Sequence, residues 1–213
     1  MAYRAIAIDG PAASGKSTVA RRLAEQLGLT MVNSGAMYRA VTWEVLRREM
    51  DPGDTPEVLK LLRQVRWGCV IRDGATIMSV DGVEPAMSEL KSDAVNASVS
   101  LIARIPEVRT LLVEKQREFL ELGDLVMEGR DIGTVVFPST PFKFYITASE
   151  EVRAARRAAE GAADAVSERD KQDSERKVAP LKVADDAVVI DTSELSIEQV
   201  LEQVKSKLNE LGW

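Results

Sequence analysis

Short apolar runs alternating with amphipathic segments predict an α/β protein: a five-stranded parallel sheet flanked by helices, interrupted by one antiparallel hairpin. Three observations carry this. The run Ala5-Ile6-Ala7-Ile8 leads directly into the glycine-rich stretch Gly10-Pro11-Ala12-Ala13-Ser14-Gly15-Lys16-Ser17, and a segment with helical apolar spacing follows it. Four further short apolar runs recur between helical segments. Asp73-Gly74 joins two strand-like runs, a strong short-range hairpin signal.

Taken in order, residues 4–8 read as a buried central strand ending at Asp9. In 17–27, Val19, Ala20, Leu23, Ala24 and Leu27 share one helical face, and Gly28 suits the left-handed residue that ends a helix. Residues 29–32 form a second strand, followed by a helix over 36–50 with Met37, Val41 and Val45 inward. This β-α-β order predicts a right-handed parallel crossover. Thr55-Pro56 opens a helix to about 64. The runs 65–72 and 76–80 make the hairpin, closed by Asp81-Gly82, and residues 65–86 are expected to form the core of a small inserted subdomain completed by helical pieces over 87–103. Pro106 starts a helix to about 122 with Gly123 as its stop. Residues 125–127, 142–146 and 187–190 supply strands three to five. The last helix opens on a capping box, Ser196 to Gln199.

Composition narrows the function. The chain has 213 residues, 45% of them hydrophobic, which suits one compact domain. A net charge of −6 and a pI near 5.0 argue against general nucleic-acid or anionic-membrane binding. The absence of histidine rules out His-based acid/base or metal chemistry, and the single cysteine, Cys69, excludes an internal disulfide and reads as a packed strand residue. With no leader-like segment and no long apolar run, a cytoplasmic monomer without membrane or nucleic-acid partners is expected.

The stretch from Gly10 to Ser17 follows the pattern GxxxxGK(S/T) between a strand and a helix, which has a mechanical reading as a P-loop. Glycines let successive backbone N–H groups curl around a polyphosphate, and the helix behind points its positive end at it. Lys16 reaches the β and γ oxygens and Ser17 ligates Mg2+, so Gly10, Ala12, Ala13, Ser14, Gly15, Lys16, Ser17 and Thr18 form the candidate donor-phosphate site. Ligands in parallel α/β sheets sit beyond the carboxyl ends of the strands, which singles out Glu128-Gly129-Arg130-Asp131 after strand three. Between strands four and five, Arg153, Arg156 and Arg157 lie at helical spacing. Farther on, Arg169, Asp173 and Arg176 would share a face if helical. A solvated, salt-bridged face is the bland reading of such a run, but phosphoryl transfer demands fixed cations around the migrating charge.

The runs Ile8-Asp9-Gly10-Pro11, Ser34-Gly35-Ala36-Met37-Tyr38-Arg39, Glu128-Gly129-Arg130-Asp131-Ile132-Gly133-Thr134-Val135-Val136-Phe137-Pro138 and Val178-Ala179-Pro180-Leu181 resemble the bacterial cytidylate kinase family over nearly the whole chain. The resemblance implies a P-loop nucleoside monophosphate kinase fold with a core (1–35, 104–150, 178–213), a monophosphate-binding region carrying the hairpin (36–103) and a short helical lid (151–177). It implies Mg-ATP as phosphoryl donor and CMP or dCMP as acceptor, joined by in-line transfer. Position by position, it places Ser34, Tyr38 and Arg39 at the monophosphate, and Ser100, Arg109 and Asp131 at the cytosine. Arg130 and Arg176 fall on the transferring phosphates, Arg169 with Asp173 on the sugar hydroxyls, and Arg157 beside the ATP phosphates. Lys16, Arg130, Arg169 and Arg176 are thus the catalytic set.

Three departures from the family pattern stand out. Only 158–167 connects the arginine cluster to Glu168-Arg169-Asp170, Asn33 replaces the aspartate usual before Ser-Gly, and Glu128, expected near Mg2+, stands where an aspartate sometimes does. The short connection keeps open a nucleotide-binding protein with impaired turnover, and a kinase for another small acceptor is a second alternative. A GTPase switch is excluded, because the chain contains neither DxxG nor NKxD.

Overall fold

The computed structural model describes residues 3–72, 74–159, 166–176 and 178–213, and of 166–169 the backbone alone. Asp73, expected in the hairpin turn, lies outside the described residues. The first unit is β1 (Ala5–Asp9), α1 (Lys16–Leu27) and β2 (Thr30–Asn33). Gly28 ends α1 at φ 66°, its N–H bonded to the Ala24 carbonyl. The next helix, α2 (Ser34–Arg47), begins two residues earlier than its apolar spacing predicts. The reason is Asn33, whose side-chain oxygen accepts the Ala36 N–H at 2.9 Å and so caps the helix.

After α3 (Thr55–Gln64) come the hairpin strands β3 (Trp67–Arg72) and β4 (Ala75–Val80), then the short α4 (Met87–Leu90) and α5 (Asp93–Ile102). Pro106 sits at the first position of α6 (Pro106–Glu118), which gives way to a tighter 3-10 turn, Phe119–Glu121, before Gly123. β5 (Leu125–Gly129) and β6 (Lys143–Thr147) flank a five-residue π-type turn, Ile132–Val136. The chain closes with α7 (Glu150–Ala159), α8 (Val166–Ser174), β7 (Val188–Asp191) and α9 (Ile197–Glu210), the last opened by the reciprocal Ser196–Gln199 capping box.

The sheet runs β3-β4-β2-β5-β1-β6-β7. The five expected parallel strands are its centre and right half, but the sheet has seven strands, not five. The hairpin does not stand apart from the sheet: β4 lies parallel to β2 at Met31↔Ala75, fastened by the Met31 N–H on the Gly74 carbonyl at 2.8 Å. Its inward residues Trp67, Met78 and Val80 join the same apolar cluster as Val41, Val58 and Leu112. Cys69, in β3, is half-buried and its thiol is pushed up to about 11 by burial, as a packed strand residue would be.

β1 shows why the sheet is central. Ala5 and Ala7 face a core with α2, α3, α5 and α6, whereas Ile6 and Ile8 face a second core with α1 and α9. Side chains such as Leu23, Leu112, Phe144 and Leu208 are fully or almost fully buried, each worth roughly 1.5–3 kcal/mol of transfer free energy. The two packed faces hold the carboxyl ends of β1, β2 and β5 in one row, and every loop described next leaves from that row.

Candidate active site

A cleft of about 620 Å³ opens over these strand ends and is lined by the loop before α1, the start of α2, α5, Arg109 and the segment after β5. Gly10 and Gly15 shape the loop. A side chain at Gly10 would collide with the Ile146 carbonyl, and Gly15 turns at φ 90° to start α1. Lys16 is buried along the loop, its Nζ on the Pro11 carbonyl at 2.8 Å. Ser17, one residue farther, donates to Glu128 Oε1 at 2.8 Å, and Glu128 is itself buried.

The opposite wall carries a buried ion pair. Arg109, on α6, donates to the Asp131 carboxylate and, at 3.2 Å, to the Ala103 carbonyl, with its guanidinium 5.5 Å from the Tyr38 ring centre. Burial pushes the Asp131 carboxyl above its ordinary range, against the pull of Arg109 and Arg176. The Tyr38 hydroxyl is raised by burial as well. Ser100 faces the same cleft from α5, Ser34 Oγ donates to the Glu128 carbonyl at 2.8 Å, and Arg39 donates to the Leu90 carbonyl at 2.8 Å.

Between the two walls stands Asp173, accepting from Arg130 Nε at 2.8 Å and from Arg176. Burial, the largest influence on Arg130, disfavours its charge, yet Asp173, with Glu128 and Asp170, holds its pKa above the ordinary value. Burial lowers that of Arg176. The expected helical face Arg169-Asp173-Arg176 is corrected at Arg176: α8 ends at Ser174, so Arg176 lies beyond the helix, and Arg130, just past the end of β5, also donates to Asp173. The side chain of Arg169 lies outside the described residues. The Leu181 N–H fixes this corner by donating to the Asp173 carbonyl at 2.9 Å.

Of the α7 arginines, Arg157 lines the cleft. Arg153 instead pairs with Asp170, and Arg156 binds the Ser14 carbonyl at 3.3 Å and Thr192. Asp170 also accepts the Ala12 N–H at 2.9 Å, so α8 and α7 both hold the loop from behind. Asp170, Thr192 and Asp9 are the residues that sequence reasoning did not single out. Only Asp9 left a signal, a charge ending a buried apolar strand. Its carboxylate, 5% exposed, accepts the N–H groups of Ile132 and Gly133, both at 2.7 Å. Burial pushes it up to about 6 despite those two bonds, with the Asp131 charge adding to the shift and Lys16 opposing it.

Ser17 and Glu128 present two hard oxygens at the positive end of α1, a donor set that suits Mg2+, which takes one or two protein oxygens and completes its shell with phosphates and water. The arrangement as a whole places the glycine-rich loop, Arg39, Arg130, Arg157 and Arg176, and the buried Arg109–Asp131 pair around one space.

Comparison with known proteins points to one family. A family model described as cytidylate kinase matches residues 6–210. A cytidylate kinase from Caldanaerobacter subterraneus subsp. tengcongensis is 42% identical, covering 93% of this chain and 92% of that protein. One from Geobacillus kaustophilus is 43% identical, covering 96% of each. A bifunctional pantoate ligase/cytidylate kinase from Synechococcus sp. (strain RCC307) is 42% identical over 96% of this chain and 42% of that longer protein. Among solved structures, a sugar kinase from Janibacter sp. HTCC2649 superposes with a TM-score of 0.54 at 14% identity, covering 97% of this chain and 95% of that one. That likeness speaks to the fold alone.

Proposed function

The chain belongs to the cytidylate kinase family, and on that premise we propose how its own residues carry the reaction. It is a (d)CMP kinase: the γ-phosphoryl of ATP passes to a phosphate oxygen of CMP or dCMP, the bond to the β–γ bridging oxygen breaks, and ADP leaves with CDP or dCDP. The acceptor oxygen is already anionic, so no general base is required, in keeping with a chain without histidine.

In our reading, the loop from Gly10 to Thr18 cradles the ATP phosphates, Lys16 meets the β and γ oxygens, and Arg157 supports them from α7. Arg130 and Arg176 stand where charge spreads in the transition state, and Asp173 keeps both in place until phosphate arrives. Ser34, Tyr38 and Arg39 bind the acceptor phosphate. Arg169 and Asp173 reach the sugar hydroxyls. Ser17, oriented by Glu128, would hold Mg2+, which would supply neutralising positive charge at the donor phosphates.

Asp131, steadied by Arg109 and flanked by Ser100, reads the base. A carboxylate accepts from the N4 amino group of cytosine, whereas the O4 of uracil would set one acceptor against another. Residues 36–103 serve as the acceptor region and 151–177, of which 160–165 and 177 lie outside the described residues, as a lid over the donor that excludes water which would otherwise hydrolyse ATP. We assign the enzyme to the cytoplasm as a monomer.

The observation that carries these roles is the buried Arg109–Asp131 pair facing the Lys16 loop across one cleft. The test is ADP release measured with CMP, dCMP, UMP and AMP as acceptors. A preference for UMP or AMP would overturn the base-reading assignment.

A further inference from the structure

Asp131 is tied at both its side chain and its backbone carbonyl. It lies at the head of the Ile132–Val136 turn, its carbonyl taking the N–H groups of Val135 at 2.8 Å and Val136 at 3.3 Å. The first N–H groups of such a turn have no partner within it. Here the next two, those of Ile132 and Gly133, are taken by the two carboxylate oxygens of Asp9, one oxygen each, from a strand more than 120 residues earlier. A side chain at Gly133 would come within 3.2 Å of the Lys143 stem and 3.3 Å of Asp9 Oδ2, so a Cβ there would press on both β1 and β6 and make them give by a few tenths of an ångström. Asp9 also pairs through its backbone with Gly129 and is followed at once by Gly10.

We infer that Asp9 is a positioning residue for recognition of the acceptor base, acting through the Ile132 and Gly133 amides to hold Asp131 in register with Arg109. It touches neither substrate. It fixes the turn that carries the base-reading carboxylate to the same strand that launches the phosphate loop, so the donor and acceptor halves of the site share one anchor. The inference rests on the assignment of Asp131 to the base.

The isosteric Asp9→Asn variant tests it, because the amide keeps one acceptor and turns an NH2 toward the other backbone N–H. Losing one charge-assisted bond of this kind is worth roughly a factor of 10 or more. We expect KM for CMP to rise by about that factor and the preference for CMP over UMP to fall with it, while KM for ATP and kcat at saturating CMP change less than about 3-fold. In the Asp131→Asn background, Asp9→Asn should then add little, since one residue acts through the other. Gly133→Ala strains the same tie from the opposite side and should show the same selective loss, which keeps the question open to experiment if Asp9→Asn does not fold. An unchanged CMP preference in both variants, or equal losses toward CMP, UMP and ATP, overturns the inference. If Asp131→Asn itself leaves the CMP preference intact, the base-reading assignment falls and the inference falls with it. Selective loss in Asp131→Asn with none in Asp9→Asn removes the inference alone.

Discussion

Ser17 Oγ and Glu128 Oε1 lie 2.8 Å apart, joining the first turn of α1 to the end of β5. The hydroxyl donates, so its lone pairs are turned away from the carboxylate and toward the cleft. A cation there would gain one oxygen that the neighbouring carboxylate has already aimed. Glu128→Gln keeps the size and one acceptor but removes the charge. The half-saturating Mg2+ concentration for phosphoryl transfer should rise by roughly 10-fold, with much of kcat recovered at high Mg2+. An unchanged Mg2+ titration would remove Glu128 from the metal site.

The Arg109–Asp131 pair is buried on both sides, and breaking such a pair leaves an uncompensated charge in the interior. Asp131→Ala should therefore lower the unfolding free energy by about 3–5 kcal/mol in denaturant titrations. Its functional signature is narrower: CMP turnover collapses while Mg-ATP binding, measured by calorimetry, survives, because the donor loop is held by separate contacts to Asp170, Arg153 and Thr192. Normal CMP kinetics in the folded variant would contradict the assignment.

Asp9 links function to stability through pH. Its folded-state pKa is raised from 3.8 to about 6 by burial, so the folded protein holds this proton more tightly than the unfolded chain. The stabilisation is fully present below about pH 4 and is lost as pH rises through 6, a change of about 3 kcal/mol. Asp9→Asn does not titrate. The difference in unfolding free energy between the variant and the parent should thus move in the variant's favour by up to that amount between pH 4 and pH 7. A constant difference across this range would show that the carboxylate ionises in the fold as easily as in water.

Much of this was legible because it rests on local pattern. The five parallel strands announce themselves as short apolar runs, and the loop before α1 carries its chemistry in eight consecutive residues. The hairpin was legible as a hairpin, yet its attachment to β2, seen at Met31↔Ala75, was not, since no pattern marks it. Asn33 stood out only as a departure from a family pattern, while its N-cap role follows from geometry that any Asn, Asp, Ser or Thr could supply. Helical spacing also misled. It carried the helix on to Arg176 although the helix stops at Ser174, and it gave no sign of Arg130, which meets Asp173 from 43 residues earlier in the chain. Contacts of that separation arise from the packing of the sheet, which places the end of β5 beside α8, and they leave no trace in the periodicity of either segment.

Asp173 provides the last test, because the guanidiniums of Arg130 and Arg176 both meet the carboxylate of this residue, which is 2% exposed. In Asp173→Ala, Arg130 and Arg176 would face each other across the vacated position with their mutual repulsion no longer offset, and burial already disfavours the charge on Arg176. The protein should lose stability, by about 3–5 kcal/mol if the triad behaves as other buried ion pairs do. An anion could restore part of it. Inorganic phosphate binding between the two arginines would stabilise the folded state in proportion to the logarithm of its saturation, and the variant, with the competing carboxylate gone, should gain more than the parent. Thermal melts with increasing phosphate measure this directly. Equal shifts in the two proteins would mean that Arg130 and Arg176 do not present a shared phosphate site, and would count against placing them on the transferring phosphoryl group.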